Sequence, residues 1–249
     1  MLPLNNNVRY LQIAFNYDLG MVFTILPRIP PSDRILIEAG TPFIKLTGMS
    51  GVRAIRQRWN GHIVADLKVL DGAIGEVDMV YRAGATAATV LGNAPTETID
   101  LFIQRCDQLG MLSMIDLLGV DDPLDILRPL QKAPDIIVIH RGRDEENTRG
   151  KMIRYRQINR IRSKYDSLIS AAGGVDLREA RSAIFNGANI VVANIVHPTD
   201  NWTGIKTTDD ITQISHQFLE TISRTFALIN EKFPGGYSSI REPRFEKKV

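Results

Sequence analysis

The chain reads as short apolar runs separated by longer stretches in which apolar residues recur every three or four positions. The runs are Tyr10 to Phe15, Arg34 to Ile37, His62 to Leu67, Ala87 to Leu91, Leu112 to Ile115, Asp135 to Ile139, Ser167 to Ala171 and Ile190 to Val192. All are short and apolar, most with β-branched residues, so each predicts a buried strand. Between them lie helical patterns, such as Ile99, Phe102, Ile103 and Cys106 ahead of Gly110, or Arg178 to Phe185 ahead of Gly187. In both, a glycine follows the last helical turn. Ile211, Ile214, Phe218, Ile222, Phe226, Ile229 and Phe233 predict a final long helix with one apolar face. Strands alternating with helices imply a parallel sheet, and eight such units imply a closed (β/α)8 TIM barrel over residues 1–233. Residues 234–249 are turn-rich and charged and predict an irregular tail. A doubly wound open sheet is the alternative, but no G-x-G-x-x-G follows the first strand.

Composition supports this and excludes several classes. At 249 residues, 44% hydrophobic and 23% charged, the chain suits one globular domain. No apolar run approaches the roughly 18 residues of a membrane span. The N-terminus lacks the apolar stretch of a secretory signal, and the single cysteine, Cys106, has no partner for an internal disulfide. A reducing, cytoplasmic setting is expected. A net charge of +2 gives no field that argues for nucleic acid. The basic run Arg149, Lys151, Arg154, Arg156, Arg160, Arg162 and Lys164 is expected to be a solvated helix face.

A barrel assembles its active site at the carboxyl ends of its strands. Here those ends are Asn16, Glu38, Asp66, Gly92, Asp116, His140, the Gly173 and Gly174 pair, and Asn194. Asp66 and Lys68 are two apart on one strand and point to one face, with Asp71 just beyond. Buried charges need partners or a ligand. Glu38 and Asp66, on neighbouring strands, offer hard oxygens suited to Mg²⁺. Zinc is disfavoured, because no cysteine or histidine cluster has its spacing. His140, followed by Arg143 and Asp144, is placed to move protons near neutral pH. His62 and His216 are expected to be structural, while His197 stays unassigned. Ala172, Gly173 and Gly174, leading into a helix, suit a phosphate held on backbone N–H groups.

These residues carry a family resemblance. LQIAFN at 11–16, IEAGTPFIK at 37–45, VADLKVLDGAIGEVDM at 64–79, AGATAATVLGNAPTETI at 83–99, SMIDLLGVDDP at 113–123, HRGRDEE at 140–146 and AAGGV at 171–175 resemble the orotidine 5'-monophosphate decarboxylase suprafamily. Within it the match is to the branch of 3-hexulose-6-phosphate synthase and 3-keto-L-gulonate 6-phosphate decarboxylase. Gly72 after D-x-K-x-x-D favours that metal-dependent branch over the orotidylate decarboxylases. The resemblance implies an Mg²⁺-stabilised 1,2-enediolate, with Glu38 and Asp66 serving the metal, Lys68 the enediolate oxygen and His140 the proton. It further implies a homodimer with sites at the interface, in which Asp71 reaches across to the other subunit.

Three features depart from the family pattern. Asn16 replaces an aspartate after the first strand, Ala193 and Asn194 replace the Gly-Arg of the eighth strand end, and the HPTDNW segment at 197–202 adds bulk nearby. Loss of that arginine removes a charge-assisted phosphate contact. The expected substrate-binding residues are therefore Asn16, Asp116, Arg143, Gly173, Gly174, Ala193 and Asn194. The expected activity is a synthase-like aldehyde-lyase joining formaldehyde to ribulose 5-phosphate, or its reverse. SMIDLLGVDDP resembles the synthase and HRGRD the decarboxylase, so a sugar-phosphate carboxy-lyase is the alternative. A catalytically silent barrel used for ligand sensing is the reading from another class.

Overall fold

The computed structural model describes residues 3–232, and the expected tail at 234–249, like Phe233, lies outside them. Eight strands form the barrel: β1 (Tyr10–Phe15), β2 (Ile35–Ala39), β3 (Ile63–Val69), β4 (Ala87–Leu91), β5 (Leu112–Asp116), β6 (Ile136–His140), β7 (Leu168–Ala172) and β8 (Ile190–Val196). Each pairs in parallel with the next, and β1 pairs with β8, so the sheet closes on itself. A two-residue β9 (Ile205–Lys206) adds in parallel to the end of β8. The helices are α1 (Leu19–Ile25), α2 (Thr41–Thr47), α3 (Met49–Arg56), α4 (Ala73–Arg82), α5 (Thr96–Leu109), α6 (Pro123–Leu127), α7 (Arg156–Arg162), α8 (Leu177–Phe185) and α9 (Ile211–Lys232). Each predicted strand is present. Among the described residues no helix is long and apolar enough to cross a membrane.

Period two along each strand divides the core in two. Tyr10, Ala14, Leu36, Val64, Met114, Ile136, Val138 and Ile190 fill the barrel interior. Their neighbours Leu11, Ile13, Ile35, Ile37, Ile63, Ile115, Ile137 and Val191 face outward and meet the helices. Burying each such Ile, Leu or Val removes enough apolar surface from water to contribute roughly 1.5–3 kcal/mol. Cys106 of α5 is wholly buried in this outer layer, and burial, with Asp135 and Asp107 nearby, pushes its thiol up to about 12. Helix α9 buries Ile211, Phe218, Ile222 and Ile229, the expected stripe, against α8 and β1.

The basic run is largely exposed, as expected, but several of its charges are paired. Arg154 pairs with Asp121 at 2.6 Å and Arg160 with Asp122 at 2.7 Å. Lys151 pairs with Glu145 at 2.8 Å, and Arg162 donates to the Gly187 carbonyl at 2.7 Å. Arg154 and Arg160 thus tie α7 and the segment before it to the loop ahead of α6, and Arg162 ties it to the loop ahead of β8.

Candidate active site

The charged residues at the strand ends converge on one cavity of about 380 Å³ at the mouth of the barrel. Its floor is an ion cluster. Lys68 Nζ donates to Asp66 at 2.8 Å and to Asp116 at 2.8 Å. Burial works against the ammonium, but Asp66 and Asp116 outweigh it and push its pKa above the ordinary lysine range. Lys68 thus stays charged.

Lys68 reaches this position by a departure from regular strand. Its φ is +52°, the only positive φ at a non-glycine residue among those described, and the register between β3 and β4 shifts between Ala65 and Val69. Such a left-handed residue costs about 1–2 kcal/mol. The Lys68 N–H donates to Thr89 Oγ1 at 2.9 Å, and Thr89 Oγ1 donates to Asp66 at 2.8 Å. Thr41 Oγ1 donates to the other Asp66 oxygen at 2.8 Å. The strained turn and its carboxylate are therefore fixed together.

Asp116 is the hub. Only 2% exposed, it accepts Lys68 Nζ, the Leu118 N–H at 2.9 Å and His140 Nδ1 at 2.8 Å. Burial raises a carboxyl pKa, yet His140 and Lys68 prevail and hold Asp116 well below the carboxylate range. In turn, burial would lower His140, but Asp116 outweighs it and raises the imidazole above 6.5. With Nδ1 engaged by Asp116, Nε2 is the ring nitrogen left for a ligand.

Glu38 is the least satisfied member. It accepts Gln12 Nε2, and among the described residues it forms no ion pair. Burial, and then the charge of Asp66, push its pKa up to about 7. The Gln12 Oε1 atom is buried beside it without a hydrogen-bond partner. Glu38, Asp66 and Asp116 set three carboxyl groups against the one ammonium of Lys68 around this cavity. Among the described residues no three His, Cys, Asp or Glu side chains gather as a ready metal cage. The donor set nevertheless fits a hard divalent cation held by two carboxylates, whose remaining positions go to water and ligand oxygens.

The opposite wall, from β7 and β8, is made differently. Asn16 Nδ2 donates to Asn194 Oδ1 at 2.9 Å. Gly173 and Gly174 have φ of +106° and +65°, a backbone that side-chain-bearing residues rarely adopt. A strap at 197–203 crosses this side. Asp200 accepts the Tyr17 hydroxyl and the His197 N–H, and Tyr17 meets the His197 ring edge-on at 4.6 Å. Burial and Asp200 push the Tyr17 hydroxyl up to about 12, so it remains a donor. Trp202 carries the Arg143 guanidinium over its ring at 4.4 Å.

Of the expected site residues, Asn16, Glu38, Asp66, Lys68, Asp116, His140, Arg143, Gly173 and Asn194 line the cavity. Ala193 does not. It is wholly buried in the outer layer, because residue 193 has the outward parity of β8. Asp71 is exposed, and its carboxylate accepts the Gly72 N–H. His62 is buried at the amino end of β3 against Thr86, and His216 is exposed on α9. Sequence reading missed Gln12, Thr41 and Thr89, though Gln12 is a polar residue inside an apolar strand and Thr41 lies in the E-A-G-T-P motif. It also missed Arg141 and Glu146, two further lining residues.

Residues 9–194 match the orotidine 5'-phosphate decarboxylase / HUMPS family. The chain belongs to this family. Among relatives of the family, the bifunctional enzyme Fae/Hps of Methanothrix thermoacetophila is 36% identical over 218 residues, covering 87% of this chain and 53% of that protein. The bifunctional enzyme Fae/Hps of Methanosarcina barkeri is 36% identical over 217 residues, again covering 53% of its length. The chain thus spans about half the length of these relatives. The 3-hexulose-6-phosphate synthase of Salmonella typhimurium shares the fold, with TM-score 0.75 and 24% identity over 87% of this chain and 99% of that one. The 3-keto-L-gulonate-6-phosphate decarboxylase of Vibrio cholerae superimposes with TM-score 0.66 and 20% identity, over 88% of this chain and 99% of that one.

Proposed function

We propose that this chain is a carbon–carbon lyase of the 3-hexulose-6-phosphate synthase type, which joins formaldehyde to ribulose 5-phosphate, or separates them, through a 1,2-enediolate. The observation that carries the reading is the Lys68, Asp116 and His140 chain of contacts, an ammonium and an imidazole fixed on one carboxylate at the cavity floor. Identity with the bifunctional Fae/Hps enzymes supports the choice of the synthase.

His140, neutral, takes the C1 proton of the ketose on Nε2, and Asp116 holds Nδ1–H and stabilises the resulting imidazolium. The electrons left at C1 spread to the C2 oxygen, which the Lys68 ammonium faces. Lys68 contributes because it is charged and already oriented by two carboxylates. C1 then attacks the formaldehyde carbon, and the former aldehyde oxygen takes a proton from the His140 imidazolium to become the new hydroxyl, which returns His140 to its neutral form. Mg²⁺ held by Glu38 and Asp66 would supply divalent charge at the developing oxyanion. Gly173 and Gly174 amides serve the phosphate, and Asn16 and Asn194 the sugar hydroxyls.

The same reading takes the chain to be a homodimer with Asp71 serving the partner's site. Asp71 lies outside its own cavity, flanked by exposed Leu70 and Ile74, an apolar rim suited to contact. Decarboxylation of a 3-keto sugar acid phosphate through the same enediolate is the second reading, favoured by Arg143 in HRGRD at the cavity wall. A silent sensing barrel gives no reason to keep a buried cluster of charged groups.

Proton NMR in D₂O tests the reading, following C1 exchange on ribulose 5-phosphate with protein and Mg²⁺. Exchange lost with EDTA and in Lys68→Ala, and product formed on adding formaldehyde, is the expected result. Exchange without condensation selects the decarboxylase, and no exchange at all rejects both lyases.

A further inference from the structure

Of the cavity carboxylates that the chemistry above does not use, Asp144, Glu145 and Glu146, the last is tied to the strap. Glu146 Oε1 accepts the backbone N–H of Thr203, from the strap. A Cβ on Gly174 would stand 2.7 Å from that same oxygen and 2.3 Å from Arg141 Nη2. The missing side chain of Gly174 therefore leaves a space flanked by a guanidinium and a carboxylate over bare backbone. Arg141 Nη2 donates to the Gly173 carbonyl at 2.8 Å and Nη1 reaches the Lys151 carbonyl at 3.3 Å. Its Nε is buried with no hydrogen-bond partner. A charged N–H left unused beside a glycine cradle, with an anion already seated on a backbone amide, is a wall suited to an oxyanion.

We propose that Glu146 is an internal stand-in for the substrate's phosphate: it fills the seat beside Gly174 when the site is empty, and an arriving phosphate displaces it and engages Arg141 and the Thr203 N–H. The idea rests on the sugar-phosphate reading above. It gives Arg141, from the end of β6, the cationic role that Asn194 cannot play. Two anions cannot share the seat, because like charges at contact repel strongly in a partly desolvated cavity. A ligand without phosphate has nothing with which to move Glu146, so the exchange also selects for phosphorylated substrates. A mere structural tie between Glu146 and the strap needs only an acceptor oxygen, not a charge. That difference is measurable.

Glu146→Gln keeps an acceptor for Thr203 and removes the charge. Titration calorimetry with inorganic phosphate should show Glu146→Gln binding about threefold or more tighter than the unaltered protein. Arg141→Gln should bind roughly tenfold or more weaker, and Arg141→Lys, a gentler change should Arg141→Gln not fold, weaker than wild type. KM for ribulose 5-phosphate should follow the same order, while unphosphorylated ribulose should not distinguish the variants. Phosphate affinity unchanged or weakened in Glu146→Gln, or unchanged in both Arg141 variants, overturns the proposal, as does an unaltered protein that binds neither phosphate nor ribulose 5-phosphate. C1 proton exchange run in parallel separates the two readings. Variants that follow the expected order in a protein that exchanges no protons support the seat and reject the lyase, whereas exchange with indifferent variants rejects the seat alone.

Discussion

The two walls of the cavity are built on opposite plans. From β2 to β6 the wall is charge locked on charge, with Asp66, Lys68, Asp116 and His140 each held by at least one other member. From β7 and β8 it is backbone, neutral amide and a strap, with Asn16 on Asn194 and glycines at positive φ. Charge at contact distance tolerates little change, since losing one partner strands the other in a buried setting. Amide and backbone contacts can be rearranged at lower cost. The residues that carry the sequence resemblance, Glu38, Asp66, Lys68 and His140, stand on the first wall, and the features read from the sequence as departures, Asn16, Ala193, Asn194 and 197–202, lie on or beside the second.

Lys68→Ala breaks the first wall most completely. Loss of its ammonium should lower turnover by about 10³-fold or more. It should also destabilise the fold by about 3–5 kcal/mol, since Asp66 and Asp116 lose their shared cation. Denaturant unfolding checks the second figure, and Mg²⁺ should restore part of the loss if the carboxylates hold it. A stability unmoved by the substitution would show that the cluster is not locked by charge.

His140→Gln should slow C1 proton exchange by about 10²- to 10⁴-fold while binding of ribulose 5-phosphate changes little. The same pair gives a pH signature. His140 has a raised folded pKa, so its contribution to stability is complete below 6.5 and fades as pH rises through the folded value. Asp116 is lowered, so its contribution holds above 3.8 and is lost as pH falls below it. Urea midpoints against pH should lose the upper slope in His140→Gln. A slope that persists would assign it to another group.

Thr89→Val removes a donor to Asp66 and the acceptor for the Lys68 N–H, and should cost about 1–3 kcal/mol by urea unfolding. The smallest effect is expected on the second wall. Trp202→Ala removes the ring beneath Arg143, worth about 0.5–2 kcal/mol. It should raise KM for sugar phosphate a few-fold and leave kcat near its original value. A collapse of kcat instead would mean that the strap is part of the first wall's machinery.

Much of the barrel was legible because its strands are short and buried on both faces, a pattern that survives without knowledge of partners. The strand ends were legible too, since Glu38, Asp66 and His140 are costly residues next to apolar runs. Pairings at long range were not. Nothing local says that Asp116 serves Lys68 and His140, 48 and 24 residues away. Ala193 was misplaced for a simpler reason, that one step along a strand changes the face. Strand periodicity put Asp66 and Lys68 side by side, which they are, but not the left-handed turn at Lys68 by which they meet. The basic run after β6 could not reveal its acidic partners, which lie up to 38 residues earlier in the chain.

The burial of Cys106 makes the protein convenient to watch. Its lone thiol is sealed in the outer layer and held protonated, so an alkylating dye has no native target on the folded surface. A cysteine introduced at exposed Asp144 would then be the sole reactive handle, and a fluorophore there could report the departure of Glu146 in real time without first stripping out a native sulfur.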